Sequence, residues 1–525
     1  MQLSRLAWPS AGSRGGESDR TKSVALAALC TLLFLTFLDN TIVSVGLASL
    51  QTDLHASVAD LQWVIGAYAL TFASIMLACG MIGDELGRKK VMLTGAGVFC
   101  AGSVLCALAP NAQVLIAGRA VMGLGAAASE PGTLSVLRHI YTDDRARARA
   151  VGVWAAVSGL ALALGPVIGG AIIGAWNWRG IFWFNLFFGL LALLVAAVVV
   201  PESSDPHAAR VDTVGTVLGA GALATLVFGI IDAETSSFAA TLPVTLFCVA
   251  VTLAAAFVWW EHRAGNPLLY PGLFRLRWFT VPNIVAFCTY FSTFAIFFFT
   301  ALYLNQVLAA SGYRIALVFA PMTVLMIASS VLAGYWTGSA GPRWPIIIGC
   351  ALFGAGLLLA NPLINTHPNY FLLASALAAA GIGIGVTVVP VTTAVLDAVP
   401  PDRSGMAASA ANTSREIGAV TGVAVLGAIV FSQVNASLTT GLVRLGVPVA
   451  YKTLILQFIE TGQVVGVNIN NYKSNPLVGK VIGAAYAAFG DGVHLALFVS
   501  AGLMFFAALL SLVVLRKAPQ APQAP

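Results

Sequence analysis

Charge is the scarcest commodity in this chain. Of 525 residues only 9% are Asp, Glu, Lys or Arg, whereas 58% are hydrophobic. A soluble domain carries roughly a quarter charged residues, so the shortage excludes an ordinary soluble protein and points to an integral membrane protein. The six histidines are scattered through loops and ends. Seven cysteines, Cys30, Cys79, Cys100, Cys106, Cys248, Cys288 and Cys350, lie inside apolar runs with no CxxC or ligand spacing, and they read as buried thiols. No GxxxxGK[ST], GxSxG or HExxH occurs. These absences predict a protein that is not an enzyme, uses no cofactor or ATP and holds no metal. The net charge of +6 comes without a basic cluster interleaved with aromatics, so no nucleic-acid partner is expected.

Apolar runs, by contrast, are abundant. A helix needs roughly 20 apolar residues to cross the hydrocarbon. Such segments fall near 24–46, 61–83, 91–109, 113–137, 149–174 and 180–200, then 213–232 and 242–261, then 280–305, 313–337, 345–360, 370–396, 406–431 and 491–515. The fourteen group as six, two and six. The expected organisation is a tail at 1–23, a six-helix bundle at 24–200, two linker helices at 201–262, a second bundle at 263–515 and a tail at 516–525. The first run is too long for a cleaved signal.

Basic residues collect in cytoplasmic loops. With the amino terminus taken as cytoplasmic, that side receives most of them, among them Arg88, Lys89, Lys90, Arg138, Arg145, Arg403, Arg415 and Arg516. The other side receives Arg179, Arg314 and four along a loop at about 433–490. Both termini are therefore expected in the cytoplasm. The loop contains LILQFIE and VIGAAYAAFG and is expected to be an extracytoplasmic packed hairpin or a surface-lying helix. A weak repeat links the halves: Gly80 and Gly87 are followed by Arg88, and Gly334 and Gly341 by Arg343. Such symmetry is usual in transporters whose halves rock about a central site.

Charges inside spans are costly and mark function by default. Asp39 in the first span and Arg119 in the fourth both fall roughly 10 Å below the outer surface at 1.5 Å per residue, so they can pair or exchange a proton. A static ion pair is the alternative, though such pairs stabilise weakly. Glu130 follows Arg119 by eleven residues, about three turns, and precedes Pro131. Buried, it would hold a proton; near the inner end it would face water.

Three further stretches stand out. In GLALALGPVIGG, from Gly159 to Gly170, the residues Ala161, Gly165 and Gly169 lie four apart on one helix face and let a neighbouring backbone approach. Pro166 there removes the hydrogen bond to the Leu162 carbonyl, so the stretch reads as a hinge or as a packing face. In GMIGDELGRKK, from Gly80 to Lys90, Asp84 can accept from a helix amino terminus and Arg88 can bridge to the other half. The ninth span holds nine aromatic residues, including Tyr290 and Phe294, which with Trp63, Tyr68, Met122 and Trp154 are candidates to line a cavity for a large apolar or cationic ligand. Many of the ninth-span rings are expected to face lipid.

These stretches resemble a known family. GLALALGPVIGG is similar to the antiporter signature of major facilitator exporters, GMIGDELGRKK to that family's loop between spans two and three, and IAGRAVMGLGAA to its fourth-span motif. LDNTIVSVGLASL and WNWRGIFWFN resemble the fourteen-span drug:proton antiporters of the EmrB/QacA type. The resemblance implies an all-α major facilitator fold of two six-helix bundles plus two helices. It also implies that Asp39 couples protons with Arg119 as partner, that Gly165 and Pro166 form a hinge, and that Asp84 and Arg88 latch a cytoplasmic gate. The chain departs from the family pattern at Ser49, Glu85, Met122 and Glu130; at the last of these the family is generally apolar. The expected function is proton-driven export of amphiphilic, cationic or neutral drug-like compounds by a monomer in the plasma membrane. Export of one metabolite, lipid or sugar by the same fold is the alternative, and a membrane sensor or scaffold a remoter one.

Overall fold

The computed structural model describes residues 19–444 and 476–516, apart from 142, 204–211, 236–239, 266, 269, 367 and 400–403. Among these residues there are fifteen α-helices and no strand. They are α1 (Asp19–Ile42), α2 (Leu47–Leu54), α3 (Val58–Leu86), α4 (Arg88–Ala107), α5 (Ala112–Ile140), α6 (Asp144–Ala175), α7 (Arg179–Val199), α8 (Thr213–Thr235) and α9 (Thr241–Glu261). There follow α10 (Arg277–Gln306), α11 (Gly312–Ala340), α12 (Arg343–Ala360), α13 (Tyr370–Asp397), α14 (Ser404–Arg444) and α15 (Pro476–Val514). Thirteen are long and apolar enough to cross a membrane. The glycine-rich stretch lies on α6, a further helix of 32 residues.

Helix is the only regular structure open to an isolated apolar segment in lipid, because it satisfies every backbone group internally. Its polar ends are capped by side chains. Ser57 and Asp60 form a capping box at α3, and the side chains of Asn111, Asp143 and Asn369 accept amide hydrogens at the starts of α5, α6 and α13.

The weak sequence repeat is a backbone repeat. Gly87 between α3 and α4 and Gly341 between α11 and α12 have φ of 109° and 79°, the only positive-φ glycines described. The packing repeats as well: α3, α4 and α5 lie together in one half, and α11, α12 and α13 in the other. Gly95 and Gly102 let α4 press against α5 as Gly349 and Gly356 let α12 press against α13. A Cβ on Gly102 would stand 2.7 Å from the Met122 nitrogen, and one on Gly356 would stand 2.3 Å from the Ala380 nitrogen. Where lipid offers no hydrophobic drive, such close approach supplies the packing.

The halves meet along two seams, α6 against α11 and α3 against α14. Gly165 and Gly169 turn toward α1, where a Cβ would lie 2.0 Å from Thr41 Oγ1 and 2.6 Å from the Ile42 carbonyl respectively. Gly170 turns toward α11, where a Cβ would lie 2.7 Å from the Gly312 carbonyl. The stretch thus packs tightly on both sides. Gly159 and Pro166 continue the helix, but their side-chain surroundings, like those of Asp84, lie outside the described residues. Of the two linker helices, α8 leans on both α3 and α14, while α9 packs on α8 and is largely exposed.

Two expectations are corrected. The loop at 433–490 is shorter than expected, because α14 runs on to Arg444 and α15 begins at Pro476, so VIGAAYAAFG is helix. The two extensions pack together: a Cβ on Gly441 would lie 3.4 Å from Ala484. LILQFIE lies outside the described residues. Nor do most of the ninth-span rings face outward; of the nine, only Phe287 is partly exposed. Helix α10 is enclosed by α13, α14 and α15, and Phe279, Tyr290, Phe291, Phe294, Phe297, Phe298, Phe299 and Tyr303 are all buried.

Candidate functional site

Two polar centres lie in the apolar interior. The first is contained in one half. Asp39 stands one turn before the end of α1 and Arg119 two turns into α5, and both side chains are buried. Arg119 Nη1 donates to Asp39 Oδ2, and its Nε donates to the Val64 carbonyl at 2.9 Å. The guanidinium carbon rests 4.4 Å from the Tyr68 ring centroid, a cation–π contact that holds the charge without a second ion. Tyr68 is fixed in turn by donating to the Thr36 carbonyl at 3.0 Å.

Asn185 on α7 completes this centre, its Nδ2 donating to Asp39 Oδ1 at 2.6 Å. Sequence reasoning quoted it as the last residue of WNWRGIFWFN but gave it no role, since nothing in that stretch points to Asp39. The arrangement gives Asp39 one charged and one neutral donor, one on each carboxylate oxygen.

The second centre spans the halves. Glu130 on α5 accepts through Oε1 from Asn412 Nδ2 on α14, whose Oδ1 accepts from Arg415 Nη1 at 2.9 Å. Arg415 Nη2 reaches Thr392 Oγ1 on α13, and its guanidinium lies 5.5 Å from the Tyr290 ring centroid. Glu416 Oε1 accepts from Asn40 Nδ2 on α1 at 3.1 Å. Glu130, Arg415 and Glu416 are all buried, so Glu130 does not face water.

Arg415 therefore does not belong to the cytoplasmic loops, where the positive-inside count placed it. It stands eleven residues into α14, about 17 Å along the axis. The signal that finds Arg415 and Glu416 is the one that found Asp39, a charge inside an apolar run, since both fall within the segment near 406–431.

The other candidates take varied places. Met122 is buried between Arg119 Nη1, 3.9 Å from its sulfur, and Cys106 Sγ at 3.7 Å. Trp154 donates from Nε1 to Thr133 Oγ1 at 3.0 Å, one turn beyond Glu130. Tyr290 and Phe294 stack with centroids 6.1 Å apart. Trp63 meets Phe228 of α8 at 5.9 Å, at the flank of the bundles.

At the start of α4 a helix-end contact is made by an acid from beyond α7. Glu202 Oε1 accepts from the Lys89 amide at 3.0 Å, and the Ser203 carbonyl accepts from the Arg88 amide at 2.8 Å, so Glu202 sits at the positive start of α4. Gly87 is crowded there, since a Cβ would lie 3.0 Å from Glu202 Oε1. Gly80 lies on the α3–α14 seam, where a Cβ would stand 3.8 Å from Ser409 Oγ.

The profile of the Major Facilitator Superfamily matches residues 29–423. The multidrug resistance protein Stp of Mycobacterium tuberculosis is 32% identical over 427 residues, 81% of this chain and 79% of Stp. The methylenomycin A resistance protein of Streptomyces coelicolor is 32% identical over 83% of this chain and 92% of its own length. The multidrug efflux pump LfrA of Mycolicibacterium smegmatis is 30% identical over 80% of this chain and 83% of its own. Among solved structures, an inward-facing bacterial homologue of the human lysosomal transporter Spinster superposes with a TM-score of 0.62, at 17% identity, over 96% of this chain and 100% of that one. It speaks for the fold.

Proposed function

The chain belongs to the major facilitator superfamily, and from that premise we propose that it exports amphiphilic drug-like compounds from the cytoplasm in exchange for protons. The observation that carries the proton half of the reading is the buried Asp39–Arg119–Asn185 centre. Charges at this depth are expensive and need a reason to be there. The export half draws on the resistance and efflux proteins it resembles along most of its length.

On this reading the protein has fourteen spans, counting α6, with both termini in the cytoplasm of a cell bounded by the plasma membrane. It acts as a single chain, without cofactor, metal or catalysed bond change. Protonation of Asp39 from outside neutralises the partner of Arg119, which favours one orientation of the bundles; release inside favours the other. The bundles rock along the α6–α11 and α3–α14 seams, and the paired glycines of α6 form the joint. One proton crossing about 150 mV supplies roughly 3.5 kcal/mol, enough for a concentration ratio of a few hundredfold.

Accumulation of a panel of dyes and antibiotics, in cells with and without the protein, tests the reading. Lowered accumulation of several unrelated compounds, restored by an uncoupler, is the expected result. Export of a single metabolite predicts that one compound alone responds, and no response from any compound contradicts export. Proton movement evoked by substrate in vesicles carrying Asp39→Asn tests the residue: coupling at the wild-type level would remove Asp39 from its role.

A further inference from the structure

At one end of the bundle the two halves repeat each other's backbone but not each other's charge. In the first half the chain leaving α7 supplies an acid. Glu202 accepts from the Lys89 amide at the start of α4, and a Cβ on Gly87 would lie 3.0 Å from its Oε1. Gly341 holds the matching place before α12, and a Cβ there would meet nothing within 4 Å. Helix α12 packs on α15 as α4 packs on α7. Counted from the helix ends, Glu202 comes three residues after Val199, and Lys517 three after Val514, with Arg516 just before it. The second half thus carries cations where the first carries its acid.

Arg343 begins α12 two residues after Gly341. Of its five N–H donors, one on Nη2 reaches the Leu512 carbonyl at 3.2 Å, and Nε is buried with no hydrogen-bond partner. Its guanidinium carbon lies 5.1 Å from the Trp344 ring centroid, and no ion pair reaches it among the described residues. An orphaned buried donor calls for an acceptor. Arg516, exposed, follows Leu512 by four residues and adds a second cation. From here an apolar surface runs along α12 and α15, which are antiparallel, since Arg343 meets Leu512 and Gly354 abuts Ala501. Trp344, Ile348 and Leu352 form one exposed row on α12, and Phe505, Leu509 and Leu512 another on α15.

We propose that Arg343, Arg516 and the α12–α15 face bind one anionic phospholipid, with its phosphate on the guanidinium groups and its acyl chains along the apolar rows. A phosphate diester carries one negative charge and two free oxygens, which suit the fork of an arginine. The acyl chains cover the exposed rows, which a free phosphate would leave bare. The headgroup does for the second half what Glu202 does for the first: it ties the turn before α12 to the chain that leaves α15. On the topology proposed above the lipid belongs to the cytoplasmic leaflet, whose anionic headgroups attract basic residues next to a span. The site lies apart from both polar centres and does not depend on which compound is exported.

The test uses the purified, delipidated full chain in neutral detergent at about 0.15 M salt, with bound lipid counted by native mass spectrometry. The probes are dioleoylphosphatidylglycerol and dioleoylphosphatidylcholine, which share their acyl chains and differ in net charge. Wild type should bind phosphatidylglycerol at least about tenfold more tightly than phosphatidylcholine. Arg343→Gln should reduce that preference to about twofold or less, and Arg343→Lys, which keeps the charge without the fork, should weaken phosphatidylglycerol binding about threefold. Arg516→Glu, which supplies an acid of the chain's own, should abolish the preference. Lys90→Gln removes an equal charge at the matching end of the other half and should change phosphatidylglycerol affinity by less than about twofold. Equal binding of the two lipids by wild type overturns the proposal and needs no variant to fold. So does an equal loss in Lys90→Gln and Arg343→Gln, which would mean a diffuse attraction to surface charge. Displacement of phosphatidylglycerol by millimolar inorganic phosphate would make this a site for a free anion and overturn the lipid assignment.

Discussion

The two polar centres differ in what they hold together. Asp39, Arg119 and Asn185 sit on α1, α5 and α7 of one half, their charges cancel, and the group can travel as a rigid unit when the halves rock. Glu130, Asn412, Arg415, Glu416 and Asn40 join α1 and α5 of that half to α14 of the other, two carboxyl groups stand there beside one guanidinium, and on the proposed rocking the group comes apart as the α3–α14 seam opens. A balanced centre suits a site that receives a proton and keeps its geometry. An unbalanced one suits a contact whose strength depends on what occupies it.

Substitutions sharpen this contrast in order of size. Arg119→Met leaves Asp39 buried without its counter-ion and should cost about 3–5 kcal/mol, read as a lower melting temperature and a lower folded yield in detergent. Adding Asp39→Asn should recover most of that loss, and independent losses in this double-mutant cycle would mean that the pair is not a unit. Next in size, Gly165→Ala forces a Cβ to within 2.0 Å of Thr41 Oγ1 and 2.9 Å of the Ile42 nitrogen. Overpacking of this kind costs about 1–3 kcal/mol, and Gly165→Leu should abolish export outright while the protein still inserts. Normal export by the Leu variant would make the stretch a packing face and not a joint.

Smaller changes fall on the second centre and on the surface. Glu130→Gln removes a buried carboxyl group that makes no ion pair among the described residues, so its stability should stay within about 1 kcal/mol of wild type or rise; a loss as large as that of Arg119→Met would mean that the two centres are built alike. Smallest is Asp53, outside the spans, where the hydrogen bond from Arg179, and then that from Trp178, holds the carboxyl below the usual carboxylate range. A lowered carboxyl adds stability above the ordinary carboxylate pKa and loses it as the pH falls through the lowered value. Both partners are partly exposed, so Asp53→Asn should cost under about 1 kcal/mol at pH 7, and the difference from wild type should vanish in strong acid. A difference that persists there would trace the loss to packing.

The sequence made Asp39 and Arg119 legible because each interrupts a long apolar run, and depth counting placed them in one layer. Arg415 obeys the same rule, but it follows Arg403 and the loop before the span, and a count of positive residues draws it to the surface; only the start of α14 at Ser404 shows its depth. Glu416 went with it. Asn185 closes the WNWRGIFWFN stretch, but its bond to Asp39 was beyond reach, since burial next to a carboxylate is a property of packing. The repeat of Gly87 and Gly341 looked slight in the sequence because most of what repeats is backbone conformation and close helix approach. The helical extensions past 431 and before 491 were hidden by their polar residues, which end an apolar run without ending a helix.

The central claim is that the seam between the halves opens in every transport cycle, and a reversible lock tests it most directly. Gly80 and Ser409 face each other across α3 and α14, where a Cβ on Gly80 would stand 3.8 Å from Ser409 Oγ. In a background with the native cysteines replaced, Gly80→Cys with Ser409→Cys should export normally when reduced, stop when oxidised and recover on addition of dithiothreitol. Undiminished export with the disulfide fully formed would contradict the account.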